Sequence, residues 1–278
     1  MIRERISDDI YVFTAQQYAQ ETAGAVITRE GVILIDTLFH PEETLAIKEF
    51  LEQRLGQNVR YVINTHYHAD HVQGTYLFPE ATVIGHSQCR ELLNTIGRDG
   101  LAQTKSQLPG FENVEVVLPE ITFERGSFTL NFGGKLLHIY HAPGHSPDML
   151  SVLVMGERIL FASDNMMPVP TLFDGDYDGL YWAIDEMTTM NLDSIVQGHG
   201  EVILRGEVDQ SLRESLNYLQ QIKKKVGQVI GNGKPAETLT KISIESCGKS
   251  RIPLNGLVSD LHQANVRRLY ADMVHGKM

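Results

Sequence analysis

The sequence is poor in cysteine, in positive charge and in long apolar runs. Two cysteines, Cys89 and Cys247, occur in 278 residues, and neither belongs to a C-x-x-C pair. That excludes a disulfide framework and leaves two buried or idle thiols as the plain reading. Lys and Arg number 24 against 35 Asp and Glu, a formal net charge of -11. So acidic a chain is a poor match for a nucleic acid or an anionic membrane surface, although a metal could still supply local positive charge to a phosphate-bearing substrate. No stretch approaches the roughly 18 apolar residues of a membrane span. The opening "MIRERISDDIYVF" lacks the apolar core of a secretory signal. There is no internal repeat and no low-complexity segment. The expectation is a cytoplasmic protein with neither nucleic acid nor membrane as a partner.

Hydrophobic residues at 42% and charged residues at 21% are ordinary for a globular chain, and the length suits one large domain or a core with a smaller addition. "IYVFTA" and "GAVITREGVILIDT" read as strands with a turn at 29–31. "PEETLAIKEFLEQRLG" reads as a helix, with Pro41 near its start and Gly56 as its stop. "VRYVINTH" and "ATVIGH" are further strands. "SQCRELLNTIG" is a short helix with Ser87 as its N-cap. Residues 114–160 carry β-type segments, beginning with "VEVVLP", between Gly and Pro turns. "GLYWAIDEMTTM" is helical, and "DSIVQGHG" is a strand running into a histidine between glycines. From Val208 the pattern becomes helical, in "QSLRESLNYLQQIKKKVGQVI" and, after "GNGKP", in "LVSDLHQANVRRLYADMV". The expected division is a catalytic domain over 1–207 and a helical extension over 208–278 packed on it. The apolar stripe Leu212, Leu216 and Leu219 needs a cover, either the chain's own core or a second copy in a homodimer.

The densest chemistry lies in "NTHYHADHVQG", where His66, His68, Asp70 and His71 fall within six residues after a strand. Alternate residues of an extended segment point the same way, so His66 and His68 can reach one ion together. Asp70 and His71 follow after the chain has begun to turn and can aim at another. Three of the chain's 11 histidines in so short a loop beside a carboxylate mark a metal site.

"THYHADH" resembles the H-x-H-x-D-H signature of the metallo-β-lactamase superfamily. "HAPGHSPD", "LFASDNM" and "VQGHG" resemble its later motifs and supply His145, Asp164 and His199, while "VILIDT" resembles the strand before its early aspartate, here Asp36. The resemblance covers roughly 10–200, in order. It implies an α/β fold of four layers, an αβ/βα sandwich, with a dinuclear site at one edge. By that resemblance His66, His68 and His145 hold the first metal, Asp70, His71 and His199 the second, and Asp164 bridges both. Asp70 is also the expected catalytic carboxylate. Asp36 is expected behind the ligands, orienting one of them or their loop. Neutral imidazoles and carboxylates suit two Zn²⁺ ions, with Fe or Mn as alternatives. His141, four residues before His145, is expected to have no direct metal role.

The implied activity is hydrolysis of an ester, thioester, lactone or amide by a metal-bridging hydroxide, on a small-molecule substrate. A phosphodiesterase, or a hydrolase of other phosphorus or sulfur esters, is the second reading; an iron-dependent oxidoreductase of the same fold is the third. His68 stands where the diiron branch of the family typically has an acid. Asp164 is a carboxylate at a point where true β-lactamases usually lack a bridging one. Both favour the glyoxalase II-like and lactonase-like branch. Met166, Tyr181 and Trp182, with Met167, Phe173 and Tyr177 beside them, are expected to line an apolar substrate pocket. Arg251, Arg267 and Arg268 are the candidates for gripping a carboxylate-bearing substrate such as glutathione.

Overall fold

The computed structural model describes residues 1–276. A first sheet is formed by β1 (Ile2–Ser7), β2 (Ile10–Thr14), β3 (Thr22–Thr28), β4 (Gly31–Ile35), β5 (Val59–Ile63), β6 (Thr82–His86) and β7 (Ile121–Phe123), side by side in chain order. Its pairs are antiparallel from β1 to β4 and parallel from β4 to β7. A second sheet takes β8 (Ser127–Phe132), β9 (Lys135–His141), β10 (Leu150–Val154), β11 (Ile159–Ser163), β12 (Ser194–Gln197) and β13 (Ile203–Leu204) in the order β13-β12-β11-β10-β9-β8. There β11 and β12 run parallel and the other pairs antiparallel.

The helices are α1 (Pro41–Glu49), α2 (Ala69–Val72), α3 (Ser87–Leu92), α4 (Arg98–Gln107), α5 (Tyr177–Met187), α6 (Val208–Gly231) and α7 (Val258–Val274). Three apolar clusters stack the layers. Ile33, Ile63 and Ile84 of the first sheet meet Leu150, Val152 and Phe161 of the second in a core made of strand residues. The opposite face of the first sheet, with Val32, Leu34 and Val62, packs on Ile47 and Leu51 of the α1 region. The opposite face of the second sheet, with Leu160 and Ile195, packs on α5, α6 and α7. This is the four-layer αβ/βα sandwich. Strands β4 and β11 are buried at every position, as their uniformly apolar sequences require when both faces are covered.

Leu212 and Leu219 on α6 are buried in the third cluster and Leu216 packs on its edge, so the chain's own second sheet and α7 cover the stripe. The last two residues of the predicted extension, 277 and 278, lie outside the described residues. No described helix is long and apolar enough to cross a membrane.

Three local expectations differ, and two strands carried no expectation. The cap of α3 is His86, whose side chain accepts from Gln88 N, while Ser87 Oγ donates to the Phe123 carbonyl. His86 ends β6 in extended geometry, which is what a cap requires; Ser87 has already entered the helix. The short helix does not stop at Gly97. It widens to a π-type turn over Leu93–Gly97 and continues as α4 past Gly97 and Gly100, since a glycine inside a helix costs only about 1 kcal/mol. "VEVVLP" forms no strand, because the ladder with β6 begins only at Ile121. Finally β1, largely exposed, and the two-residue β13 carry too little apolar pattern to be read as strands.

Candidate metal centre

Both sheets deliver their chemistry at the carboxyl ends of their parallel strand pairs, where backbone groups are free of the ladder. Asp36 follows β4, Asn64 to His66 follow β5, Asp164 follows β11, and His199 follows β12. His68 caps α2, which carries Asp70 and His71 on its first turn. His145 sits in the loop between β9 and β10, its backbone N–H donating to Asn165 Oδ1 at 3.0 Å. Glycine is needed at 198 because a Cβ there would lie 1.7 Å from Asp164 Oδ1. Gly200 has φ +91°, which turns the chain so that His199 faces the first sheet's loops.

The donor atoms of His66, His68, His145 and Asp164 lie within 4.8 Å of one another, as do those of Asp70, His71 and His199. His68 Nδ1 is 2.9 Å from His66 Nε2 and 3.1 Å from His145 Nε2. Asp164 stands between the groups. Its Oδ2 is 3.3 Å from His145 Nε2 and 3.5 Å from His199 Nε2, and its Oδ1 is 3.2 Å from His71 Nε2. Asp70 Oδ2 is 3.4 Å from His199 Nε2.

Each imidazole is held from behind by an acceptor. His71 Nδ1 donates to Asp36 Oδ2 at 3.1 Å, His145 Nδ1 to the Thr171 carbonyl at 2.9 Å and His199 Nδ1 to the Ala19 carbonyl at 3.0 Å. His68 Nε2 donates to Asp174 Oδ2 at 2.9 Å, and Tyr67 OH donates to the same oxygen. Thr65 Oγ1 gives its proton to Asp36 Oδ2 at 2.7 Å and therefore accepts from His66 Nδ1 at 3.1 Å. With the outer nitrogen protonated, the inner nitrogen of a neutral ring carries a lone pair. Five lone pairs thus converge with two carboxylates in a buried space. His71 Nε2 and Asp164 Oδ1 face one another, and both are left without a hydrogen bond. Such a set repels itself unless cations lie within it, and its imidazole and carboxylate donors fit divalent metals.

Charge divides the two groups. Burial holds His66 far below the usual histidine range and His145 down at about 4, so both rings are neutral. Burial pushes His71 and His199 downward too, but Asp164 and Asp70 outweigh it. His71 ends well above the usual value and His199 at about 9. The carboxylates therefore call for positive charge beside those two rings. A cation meets the same demand while leaving the rings neutral. Asp164, despite burial, is held far below the carboxylate range by His71, His199 and His145.

All seven residues expected as ligands come together, in the two groupings the family resemblance implied, and Asp36 lies behind them against His71 and Thr65. His141 stays outside both groups; its ring contacts the Pro147 carbonyl and stacks on His86. The expected pocket residues are dispersed. A cavity of about 240 Å³ over the two groups is walled by Tyr18, Met167, Phe173, Leu254, Leu257 and Leu261. Met166 is buried in the third cluster, Tyr181 packs at its margin, and Trp182 is 66% exposed on α5. Helical periodicity turns Trp182 outward, and Met166 points inward from the chain on which Met167 faces the site. Arg268 serves the site indirectly, donating from α7 to the carbonyls of Phe173 and Gly175 and so fixing the loop that presents Asp174 to His68. Arg251 pairs with Glu245, and Arg267 donates to the Gln263 carbonyl. Thr65, Asn165, Thr171, Asp174 and Ala19 were not legible in the sequence. Only Thr65 and Asn165, each adjacent to an expected ligand, carried any signal.

The family described as metallo-beta-lactamase superfamily matches residues 19–226. A Beta-lactamase-like protein 2 homolog of Caenorhabditis elegans is 24% identical over 215 residues, covering 76% of this chain and 65% of that protein. A hydroxyacylglutathione hydrolase of Pelagibacter ubique is 24% identical over 153 residues, 53% of each chain. The chain thus spans less than two thirds of the length of either relative. Among solved structures, a metallo-beta-lactamase from Pontibacter korlensis superposes with a TM-score of 0.63 at 22% identity, covering 79% of this chain and 98% of that one, a likeness of fold. The chain belongs to the metallo-beta-lactamase superfamily. That membership and the two His/Asp groups support a metal-dependent hydrolase.

Proposed function

We propose that this superfamily member hydrolyses an acyl bond, in an ester, thioester, lactone or amide, at a centre that holds two divalent cations, zinc before iron or manganese. The observation that carries the reading is the set of five imidazoles, each with its outer nitrogen engaged and its inner nitrogen turned into one of two clusters that include Asp164 and Asp70. His66, His68, His145 and Asp164 would hold one cation, and Asp70, His71 and His199, with Asp164 between, the other. When bound, two such cations lower the pKa of a shared water towards 7 and polarise the bond under attack.

The chain's own residues do the rest. Asp36, Thr65, Thr171, Asp174 and the Ala19 carbonyl fix the tautomers, so no ring spends a proton on the wrong side. Asp164 is almost fully buried, whereas the Asp70 side chain keeps 18% of its surface. Asp70 is therefore the carboxylate that can accept the proton of the attacking water and hand it on to the leaving group. Apolar walls at Met167, Leu254, Leu257 and Leu261 limit bulk water over the reacting bond. None of the described residues lining this cavity is Lys or Arg, which favours a neutral acyl group over a phosphodiester or a glutathione carboxylate.

The test is elemental analysis of protein purified without added metal, beside turnover of one acyl ester and one phosphodiester. Two zinc ions per chain with cleavage of the acyl ester is the expected result, and His145→Ala should lose one metal and nearly all turnover. Phosphodiester cleavage alone, or iron with oxygen uptake and no hydrolysis, sinks the proposal.

A further inference from the structure

A second cavity of about 220 Å³ opens beside the metal groups. It shares His68, Ala69 and Phe173 with the cavity over them, so the two are lobes of one space that meet at His68. Phe173 forms the partition. It is 61% exposed, with its ring 5.0 Å from that of His68 and stacked at 6.2 Å on His145. The walls of the second lobe are apolar: Val72, Leu93, Ile96, Leu101, Val114 and Val116. All of these but Ile96 belong to two small satellite clusters, one around Cys89 and Leu93 and the other around Leu101 and Phe111, separate from the three that stack the layers. Folding has thus left an apolar gap next to the reacting groups instead of closing it with a side chain, as dense packing would otherwise require.

The wall is built for room. The helix over 87–107 widens to π-type winding at Leu93–Gly97, along the cavity, and such turns recur at functional sites. Gly97 and Gly100 line the cavity as well, and a Cβ added at Gly100 would meet nothing within 4 Å. Ile96, 54% exposed, and the exposed Glu115 lie among the lining residues.

We infer that this lobe takes the unbranched apolar chain of the substrate's acyl group, its carbonyl at the metal groups and its tail running past Phe173 between α4 and residues 114–117. The inference rests on the acyl-hydrolase reading and names its substrate class. At about 30 Å³ per small group the volume holds roughly seven carbons. Glu115, the sole acid among the lining residues, disfavours a tail that ends in a carboxylate.

The experiment compares p-nitrophenyl alkanoates from acetate to decanoate on the metal-loaded protein and on Gly100→Leu. The substituted position is helical with ordinary backbone geometry, and Leu is the better helix former, so the variant should fold. In the unaltered protein kcat/KM should climb about fourfold per methylene, equivalent to ~0.8 kcal/mol, and level off near eight carbons. In Gly100→Leu the climb should stop by about four carbons, so that the octanoate-to-acetate ratio of kcat/KM falls at least tenfold. Calorimetric titration with octan-1-ol gives a readout independent of turnover: binding to the unaltered protein and at least tenfold weaker binding to the variant. A flat chain-length profile, or the same climb and the same octanol affinity in both proteins, overturns the inference. If no alkanoate is cleaved while octanol still distinguishes the two proteins, the acyl-hydrolase reading fails and the apolar lobe stands.

Discussion

Asp36→Asn isolates what the residues behind the ligands contribute. The change is isosteric, and Asn tolerates the left-handed backbone of this position, φ +58°, as well as any residue but glycine. In the native chain Oδ1 accepts the Thr65 N–H at 2.8 Å, which an amide oxygen can still do. Oδ2 accepts from Thr65 Oγ1 at 2.7 Å and from His71 Nδ1 at 3.1 Å, and an NH₂ group there meets two donors. The least costly response is for His71 to move its proton to Nε2, which removes the lone pair beside Asp70 and Asp164. Loss of a partner behind a ligating histidine typically weakens metal affinity 10–100-fold, or about 1.4–2.7 kcal/mol. One charge-assisted hydrogen bond is also lost, worth about 1.5–3 kcal/mol to the metal-free fold. Competition with a chromogenic chelator should therefore show one of two cations released 10–100-fold more readily, with the other changed less. Ring ¹⁵N shifts should report the altered His71 tautomer. Two affinities within twofold of the unaltered protein, with an unchanged tautomer, would refute the claim that Asp36 sets the protonation of His71.

Gly198→Ala places a methyl 1.7 Å from Asp164 Oδ1, so the carboxylate that faces both groups must shift; metal content should fall below one ion per chain, and retention of two by elemental analysis would contradict that placement. Leu219→Ala removes a fully buried side chain from the cluster joining α6 to the second sheet and should cost about 2–5 kcal/mol in urea unfolding; a loss under 1 kcal/mol would mean that α6 is not part of the cooperative fold. Lys249 is half-buried with Nζ on Ser215 Oγ, and burial lowers its pKa to about 8. The unfolded chain binds the proton more tightly between about pH 8 and 10.5, so the cost of folding around the charge is full below pH 8 and fades as pH rises through that window. Lys249→Met should gain about 1–2 kcal/mol at pH 7, discounted for partial exposure, and the gain should shrink by pH 10; a gain independent of pH would point to packing instead.

What was legible in the sequence follows from what each residue's placement depends on. His66, His68, Asp70 and His71 are fixed by local geometry: a strand that ends, two residues of extended chain and one helical turn. Their division into two pairs could be read from spacing, whereas His145, Asp164 and His199 were placed by the resemblance of their motifs to the family's; only Asp164 and His199 follow fully buried strands. The acceptors behind the rings depend on contacts far apart in the chain. The Ala19 carbonyl reaches His199 across 180 residues, and Asp174 reaches His68 across 106. A carbonyl carries no sequence signal at all, and Asp174 is one acid among several in its loop. Gly97 was misread for a related reason. As punctuation it suggested that a helix ends; in three dimensions the helix runs on past Gly97 and Gly100, which leave space beside it. Of the pocket residues expected just after Asp164, Met167 and Phe173 do line the cavities, but the rest of the lining comes from residues 93–101, residues 114–117, the loop between β2 and β3 and the segment around Leu254. Most of the lining thus comes from segments whose sequences look least like sites, and Phe173, exposed where the two lobes meet, is shared by both.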